Sequence, residues 1–274
     1  FIAVFWLSPI AWVIVNSFKT NLEFSTSFTN IHSVGEYLKA VFPDRLNFST
    51  YVSLFTGEGM STTTGILKMI TNSVIISVTR TAVVVFTTSL AAFSFERLRF
   101  PAGDKIFWAV FFISLIPSSA STLPLFKICN AFGWVNDINA LIWPGCVSIM
   151  NIFLIRNFLV GIPKELDEAA TIDGAGRMRI YFNLILPLSK ASLVVVGMFC
   201  FMNVWNDFMG PLLYLNTEAK YTISLSLQSL KGSYSSKWNL IMAASAIVVL
   251  PCVVVFLLGQ KHIIGGIAIS GIKG

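Results

Sequence analysis

The sequence predicts an all-α integral membrane protein, a bundle of six spanning helices. Three observations carry that reading. The composition, 55% hydrophobic and 12% charged with a mean hydropathy of +0.76, leaves too little polar surface to coat a soluble globule of 274 residues. Six apolar runs approach the ~20 residues that cross a hydrocarbon layer roughly 30 Å thick at about 1.5 Å rise per residue. Backbone amides in lipid must be paired, and no run shows the two-residue alternation of barrel strands, so the runs are helices.

The first run, Phe1–Phe18, stops at Asn16-Ser17-Phe18-Lys19, polar and basic groups suited to a membrane interface. No small-residue cleavage pattern follows it, so it reads as a membrane helix rather than a removed leader, and its apolar start leads us to expect a missing upstream stretch. The outer loop from Lys19 to Met69 is long enough for a small subdomain, with Tyr37, Leu38, Val41 and Phe42 at partly helical spacing. Five further runs follow, Ile70–Phe95, Ile106–Phe126, Ile138–Ile155, Leu188–Met209 and Leu240–Leu258. Pro117 and Pro124 predict a kinked third helix. Arg80, inside the second, needs a carboxylate or helix carbonyls as partner. The tail Gln260–Gly274 is glycine-rich and broken into short apolar groups, too irregular for a helix.

Orientation follows from lysines and arginines. Placing the first run's exit outside gathers Arg97, Arg99, Lys105, Arg156, Lys164, Arg177, Arg179 and Lys190 on the inner side. Four of the opposing charges, Lys19, Lys39, Arg45 and Lys68, lie in the long outer loop, where the rule weakens with distance from membrane ends. The connection between the fourth and fifth runs is therefore cytoplasmic.

Other chemistries are poorly supported. The net charge of +6 comes without a dense basic cluster, so nucleic acid is not a partner. Cys129, Cys146, Cys200 and Cys252 are isolated and read as packing residues. There is no GxxxxGK[ST] loop, and His32 and His262 lack metal-ligand or catalytic spacing. The chain is read as no enzyme, with no cofactor or metal of its own. A secondary transporter would need several intramembrane acids and repeated halves, and only Asp207 is available.

The cytoplasmic segment Pro163–Pro187 is more structured than a connection needs. Pro163 suits a helix start, and Glu165, Asp167 and Glu168 follow where the positive helix end favours them. Leu166, Ala169 and Ala170 form a thin apolar stripe, and Asp173-Gly174 ends the helix. Met178, Tyr181, Phe182 and Ile185 then mark one face of a second, amphipathic helix. Four acids between Glu165 and Asp173 speak against a helix resting on an anionic leaflet.

In the fifth run Asn203, Asn206 and Asp207 fall at i, i+3 and i+4, with Phe199 and Gly210 on the same face. Polar groups there should face protein or a water-filled cavity. Amides hydrogen-bond hydroxyls, and rings such as Trp205 and Tyr214 cover sugar faces, so Asn203, Trp205, Asn206 and Asp207 are pathway candidates. Asp207 has a second reading, holding loop backbone beside Gly210-Pro211.

The stretches Glu168-Ala169-Ala170, Asp173-Gly174-Ala175 and Phe182, Ile185, Leu186, Pro187 resemble the "EAA" loop of permease subunits of ATP-binding-cassette importers. The likeness covers the whole chain, through SFKT, Asn72-Ser73, LAAFSFERLRF, IPSSASTLPLF, WNDFMGPLLYL and QKHIIGGIAISGIKG, and is similar to the second permease subunit of maltose-type carbohydrate systems. Ser189-Lys190-Ala191 departs from the pattern, which usually places a proline there, and implies a straighter approach to the fifth helix.

The resemblance implies a single permease domain of the bacterial cytoplasmic membrane. It would form half of a sugar or oligosaccharide pathway with a second permease subunit, be supplied by a solute-binding protein at the outer loops, and be driven by two ATPase subunits that hold ATP and Mg. Another polar solute such as a glycerol phosphate is the alternative cargo. The ATPase-coupling residues would be Glu165, Glu168, Ala169, Ala170, Asp173, Gly174, Ala175, Met178 and Phe182, with Glu168 an anchor in the ATPase cleft. The tail would reach between the ATPase subunits through Gly271, Lys273 and Gly274; a frayed end is the other reading.

Overall fold

The computed structural model describes residues 2–27, 29, 32–57, 65–98, 100–233 and 237–270. Among them every regular element is helical, as the sequence predicts. The chain divides into two compact units, residues 1–74 with 206–254 and residues 75–205 with 255–274.

Helix α1 (Ile2–Asn16) is followed by three short helices in the outer loop, α2 (Asn21–Ser27), α3 (Val34–Val41) and α4 (Ser49–Thr56). The SFKT stretch organises them. Lys19 is fully buried and its Nζ donates to the Ala40 carbonyl at the end of α3. Ser17 Oγ meets Tyr51 Oη at 2.6 Å, and the Asn47 N–H donates to the Phe18 carbonyl at 3.0 Å. At the start of α3, Ser33 Oγ accepts from the Glu36 N–H while Glu36 Oε2 accepts from the His32 N–H, so reciprocal side-chain acceptors cover donors that a helix start leaves unpaired.

Helix α5 (Ile66–Arg97) is unbroken over 32 residues, about 48 Å at the helical rise, longer than the hydrocarbon layer. Its surplus length carries Glu96 and Arg97 past the apolar stretch. Helices α6 (Gly103–Ser114) and α7 (Ser118–Ala131) are bent by 98° at their junction, so the third run is a broken rather than a kinked helix. Pro117, which cannot donate to a helix ladder, sits at the break, whereas Pro124 lies inside α7. Helix α8 (Asn139–Ile142) runs into a 3-10 turn, Trp143–Gly145, and meets α9 (Ile149–Val160) at 44°.

The connecting segment forms α10 (Glu165–Ile172), then α11 (Arg177–Ile180), a π-helical turn at Tyr181–Ile185 and α12 (Leu186–Leu188) as one rod. Helix α13 (Lys190–Trp205) leaves that rod at 76°. The straighter approach expected from Ser189-Lys190-Ala191 is thus absent. Ser189 is itself the break, buried and non-helical, and its carbonyl accepts from the Leu193 N–H at 3.0 Å to begin the new helix. Beyond it come α14 (Met209–Tyr214), α15 (Ile223–Ser233) and α16 (Trp238–Ser270). The expected irregular tail is corrected as well, since α16 continues through Gln260 to Ser270. Glycine costs a helix only about 1 kcal/mol per position, which a long apolar helix absorbs.

By length and composition α5 and the stretch Trp238–His262 qualify as straight membrane spans, and three bent pairs qualify as broken ones, while Phe5–Asn16 is shorter. Among the described residues the expectation of six plain spanning helices is therefore met in helical type, whereas the candidate spans number two straight ones and at most five with the bent pairs.

In the first unit, Asn72 Nδ2 donates to the Ala219 and Tyr221 carbonyls at 2.9 and 3.0 Å, and Ser73 Oγ accepts from the Ile223 N–H at 2.8 Å. The Asn72-Ser73 pair thus anchors the start of α15. In the second, a core forms from Ala92 and Phe93 of α5, Phe107 of α6, Ile152, Ile155 and Leu159 of α9, Ile180, Tyr181 and Ile185 of the rod, and Leu193 and Val196 of α13. Arg80 finds helix carbonyls as its partner. Its Nη1 donates to the Leu141 carbonyl at 2.9 Å, where the bent fourth span loosens its ladder.

Candidate functional site

The 163–187 segment presents two faces, and the residues on each are set by how the helices end. Helix α10 starts at Glu165, two residues later than Pro163 suggested, with the acids Glu165, Asp167 and Glu168 in its first turn. It closes where the Ala175 N–H returns to the Ala170 carbonyl at 2.9 Å around Gly174, whose φ of 80° is the left-handed conformation that glycine adopts freely. Ala170 and Ala175 pack against the internal core. Glu165, Glu168, Ala169, Asp173 and Gly174 are exposed, as are the apolar Leu166 and Ile172, the latter 86% exposed.

The rod divides the same way. Tyr181 and Ile185 are buried, and Tyr181 Oη meets Ser89 Oγ of α5 at 2.7 Å. Met178 and Phe182 face outward at 61% and 51% exposure. Neighbours in a helix stand about 100° apart, so Tyr181 can point into the core while Phe182, in the same π-turn, stays exposed.

Ionic contacts fix the segment to the end of α5. Arg97 Nη2 donates to the Leu159 and Ile162 carbonyls at 2.9 and 2.8 Å, and its Nε stands 3.4 Å from Asp167 Oδ2. The Arg97 side chain is 2% exposed. Glu96 makes the opposite set, accepting from Arg156 Nε at 3.1 Å and pairing with Lys164 Nζ at 3.6 Å. Arg156 also donates to Asp104 Oδ1 at 2.6 Å and lies over the Phe107 ring, 4.5 Å from its centroid. A cleft of about 450 Å³ opens beside these groups, lined by Glu96, Arg97, Lys164, Asp167, Glu168 and Arg177 among others.

The candidates in the fifth run are dispersed. The single helical face expected for Asn203, Asn206 and Asp207 does not exist, because α13 ends at Trp205 and the chain turns before α14. Asn203 is exposed on α13, and Asn206 Nδ2 donates to Cys252 Sγ at 3.6 Å. Asp207 Oδ1 accepts from the Gly210 N–H at 3.1 Å, the second of its two readings. Trp205 is buried, its ring stacked on Phe201, so it covers no open surface. The interruption lies at residues 206–208, and Pro211 sits in the first turn of α14, where it lacks only a donor that a helix start leaves unpaired. The tail candidates Gly271, Lys273 and Gly274 lie outside the described residues. Among the described residues no three or more His, Cys, Asp or Glu cluster as metal ligands.

Residues 84–268, which hold the whole ionic brace and both loop faces, match the family described as binding-protein-dependent transport system inner membrane component. The chain belongs to this family. The chain is 30% identical to the probable starch degradation products transport system permease protein AmyC of Thermoanaerobacterium thermosulfurigenes, over 99% of this chain and 93% of that one. It is 30% identical to the trehalose/maltose transport system permease protein MalG of Thermococcus litoralis, over 99% and 93%, and 26% identical to the arabinooligosaccharides transport system permease protein AraQ of Bacillus subtilis, over 100% and 92%. A crystal structure of a bacterial ABC transporter involved in the import of the acidic polysaccharide alginate contains a chain of the same fold, with a TM-score of 0.78 at 18% identity, covering 95% of this chain and 91% of that one.

Sequence reasoning missed the brace. Within LAAFSFERLRF, the adjacent Glu96 and Arg97 at the end of a long apolar run were the available signal, since a flanking charge needs no opposite neighbour while a clamp does. In this chain they face partners more than fifty residues away along the sequence.

Proposed function

We propose that this chain is the membrane-spanning subunit of an ATP-driven importer of a sugar or oligosaccharide, forming half of the pathway beside a second permease subunit. Two cytoplasmic ATPase subunits, holding ATP and Mg, drive it through the 163–187 segment, and a solute-binding protein delivers the cargo at the outer loops of a bacterial inner membrane. The observation that supports this best is the outward face of α10 and the following rod. Leu166, Ile172, Met178 and Phe182 expose apolar surface beside the exposed acids Glu165 and Glu168. Their neighbours on the inner face are clamped to α5. An apolar patch rimmed by charge on a braced support suits a protein partner better than water. The cargo class is supported by the relatives, which are named for starch degradation products, trehalose and maltose, and arabinooligosaccharides.

The test is Ile172→Glu combined with Met178→Glu, read by co-purification of the ATPase subunits and by uptake of a panel of labelled oligosaccharides in membrane vesicles. Neither change alters a buried contact, so the chain should still insert while co-purification and uptake fall at least about tenfold, the effect of losing ~1.4 kcal/mol of contact. Unchanged co-purification would refute the contact, and uptake of none of the panel by the unmodified importer would refute the cargo class.

A further inference from the structure

We propose that Arg97 is the positioning residue through which displacement of α10 is delivered to α5, making the end of that spanning helix the first mechanical receiver within this subunit. The inference rests on reading the 163–187 segment as the ATPase contact, and it adds the route by which work leaves that contact.

The geometry is unusually concentrated. One buried guanidinium joins three separate pieces of chain: the end of α9 through the Leu159 carbonyl, the linker through the Ile162 carbonyl, and α10 through Asp167. Nη2 serves both carbonyls while Nε, held in the same rigid plane, stands 3.4 Å from the carboxylate, an arrangement that an ammonium on a flexible stem cannot reproduce. The preceding residue has the opposite charge and pairs with Arg156 on α9 and with Lys164 at the start of α10. Displacement of α10 therefore acts on the end of α5 through both ion pairs.

Helix α10 has little else to hold it. Most of its residues are exposed, Ala170 is its half-buried contact with the core, and Gly174 meets nothing within 4 Å of where a Cβ would stand. Beyond the Ala170 contact, the ion pairs of Asp167 with Arg97 and of Lys164 with Glu96 are what tie it to α5. The pair is also poorly tolerant of partial loss. Removing one partner leaves the other charge buried without compensation, whereas neutralising both does not.

That asymmetry separates transmission from stability. The variants are Arg97→Gln with Asp167→Asn together, and the conservative Asp167→Glu. Each is assembled with its partner subunits in proteoliposomes, and three quantities are read: ATPase co-purification, basal ATP hydrolysis, and solute imported per ATP hydrolysed. The double neutral variant should co-purify and hydrolyse ATP as the unmodified complex does, while solute per ATP falls at least about tenfold, a loss of ~1.4 kcal/mol in coupling. Asp167→Glu keeps the charge and should stay within about twofold, under 0.5 kcal/mol. Solute per ATP within about twofold in the double variant, with the complex intact, overturns the role of Arg97 and leaves the docking surface standing. Failure of the unmodified chain to co-purify with the ATPase overturns both. Should the double variant fail to assemble, a tenfold loss of solute per ATP in Asp167→Glu itself, with assembly intact, also overturns the proposal, because a retained charge would then fail to transmit.

Discussion

Gly145→Ala tests the packing around the intramembrane arginine. A Cβ built on Gly145 falls against the Arg80 guanidinium, with Nε 2.6 Å away and Nη2 and Cζ nearer still. Carbon needs about 3.5 Å, so the whole planar group has to retreat by an ångström or more. Side-chain ends usually yield cheaply, but here Nη1 is committed to the Leu141 carbonyl at 2.9 Å. Breaking a hydrogen bond from a charged donor costs about 1.5–3 kcal/mol, and the alternative in lipid is an unpaired charge. We therefore expect Gly145→Ala to destabilise the protein by about 2 kcal/mol, read as a drop of roughly 4–8 °C in the detergent-solubilised thermal midpoint. In an Arg80→Met background the obstacle is a flexible apolar chain, and the same alanine should cost less than about 0.5 kcal/mol. A double-mutant cycle measures the difference. Equal costs in the two backgrounds would refute the reasoning, since the glycine would then be required for something other than the guanidinium.

Gly174→Val meets no steric obstacle but forces a β-branched residue to φ of 80°, so it should cost about 1–2 kcal/mol or move the turn, with Gly174→Asn markedly milder. Circular dichroism melts and cysteine accessibility at Ile172 read this, and equal melts for the two variants would contradict it. Burial lowers the Lys19 pKa below lysine's usual 10.5, opposed in part by Glu23 and Asp44. The unfolded chain then binds more protons in the window between the lowered value and 10.5, so stability relative to Lys19→Met should rise as pH rises through that window and stay level below it. Melts of both proteins across the alkaline range check the sign, and a gap that shrinks with rising pH would overturn it.

Much of the site was legible because its signals are local. Gly174 announces a turn wherever it occurs in such a context, and the chain does turn there with positive φ. The spacing of Met178, Tyr181, Phe182 and Ile185 identified an amphipathic helix, yet it could not say that Tyr181 goes in and Phe182 out. That choice is made by the packing of Tyr181 against Phe93 and Ser89 of α5. Likewise the polar pattern in the fifth run read as one stripe because helical spacing was assumed to continue, whereas α13 ends at Trp205 and α14 begins only at Met209.

Helical type and membrane character were settled along the chain itself, since helix hydrogen bonds join residues four apart and lipid admits little else. Where the helices break, and which charges meet, had to await the folded arrangement. Arg97 could have remained a flanking charge on sequence grounds. It becomes a clamp because the Leu159 and Ile162 carbonyls at and just after the end of α9 accept from it and α10 brings Asp167 within 3.4 Å, contacts between residues some sixty to seventy positions apart that no periodicity encodes.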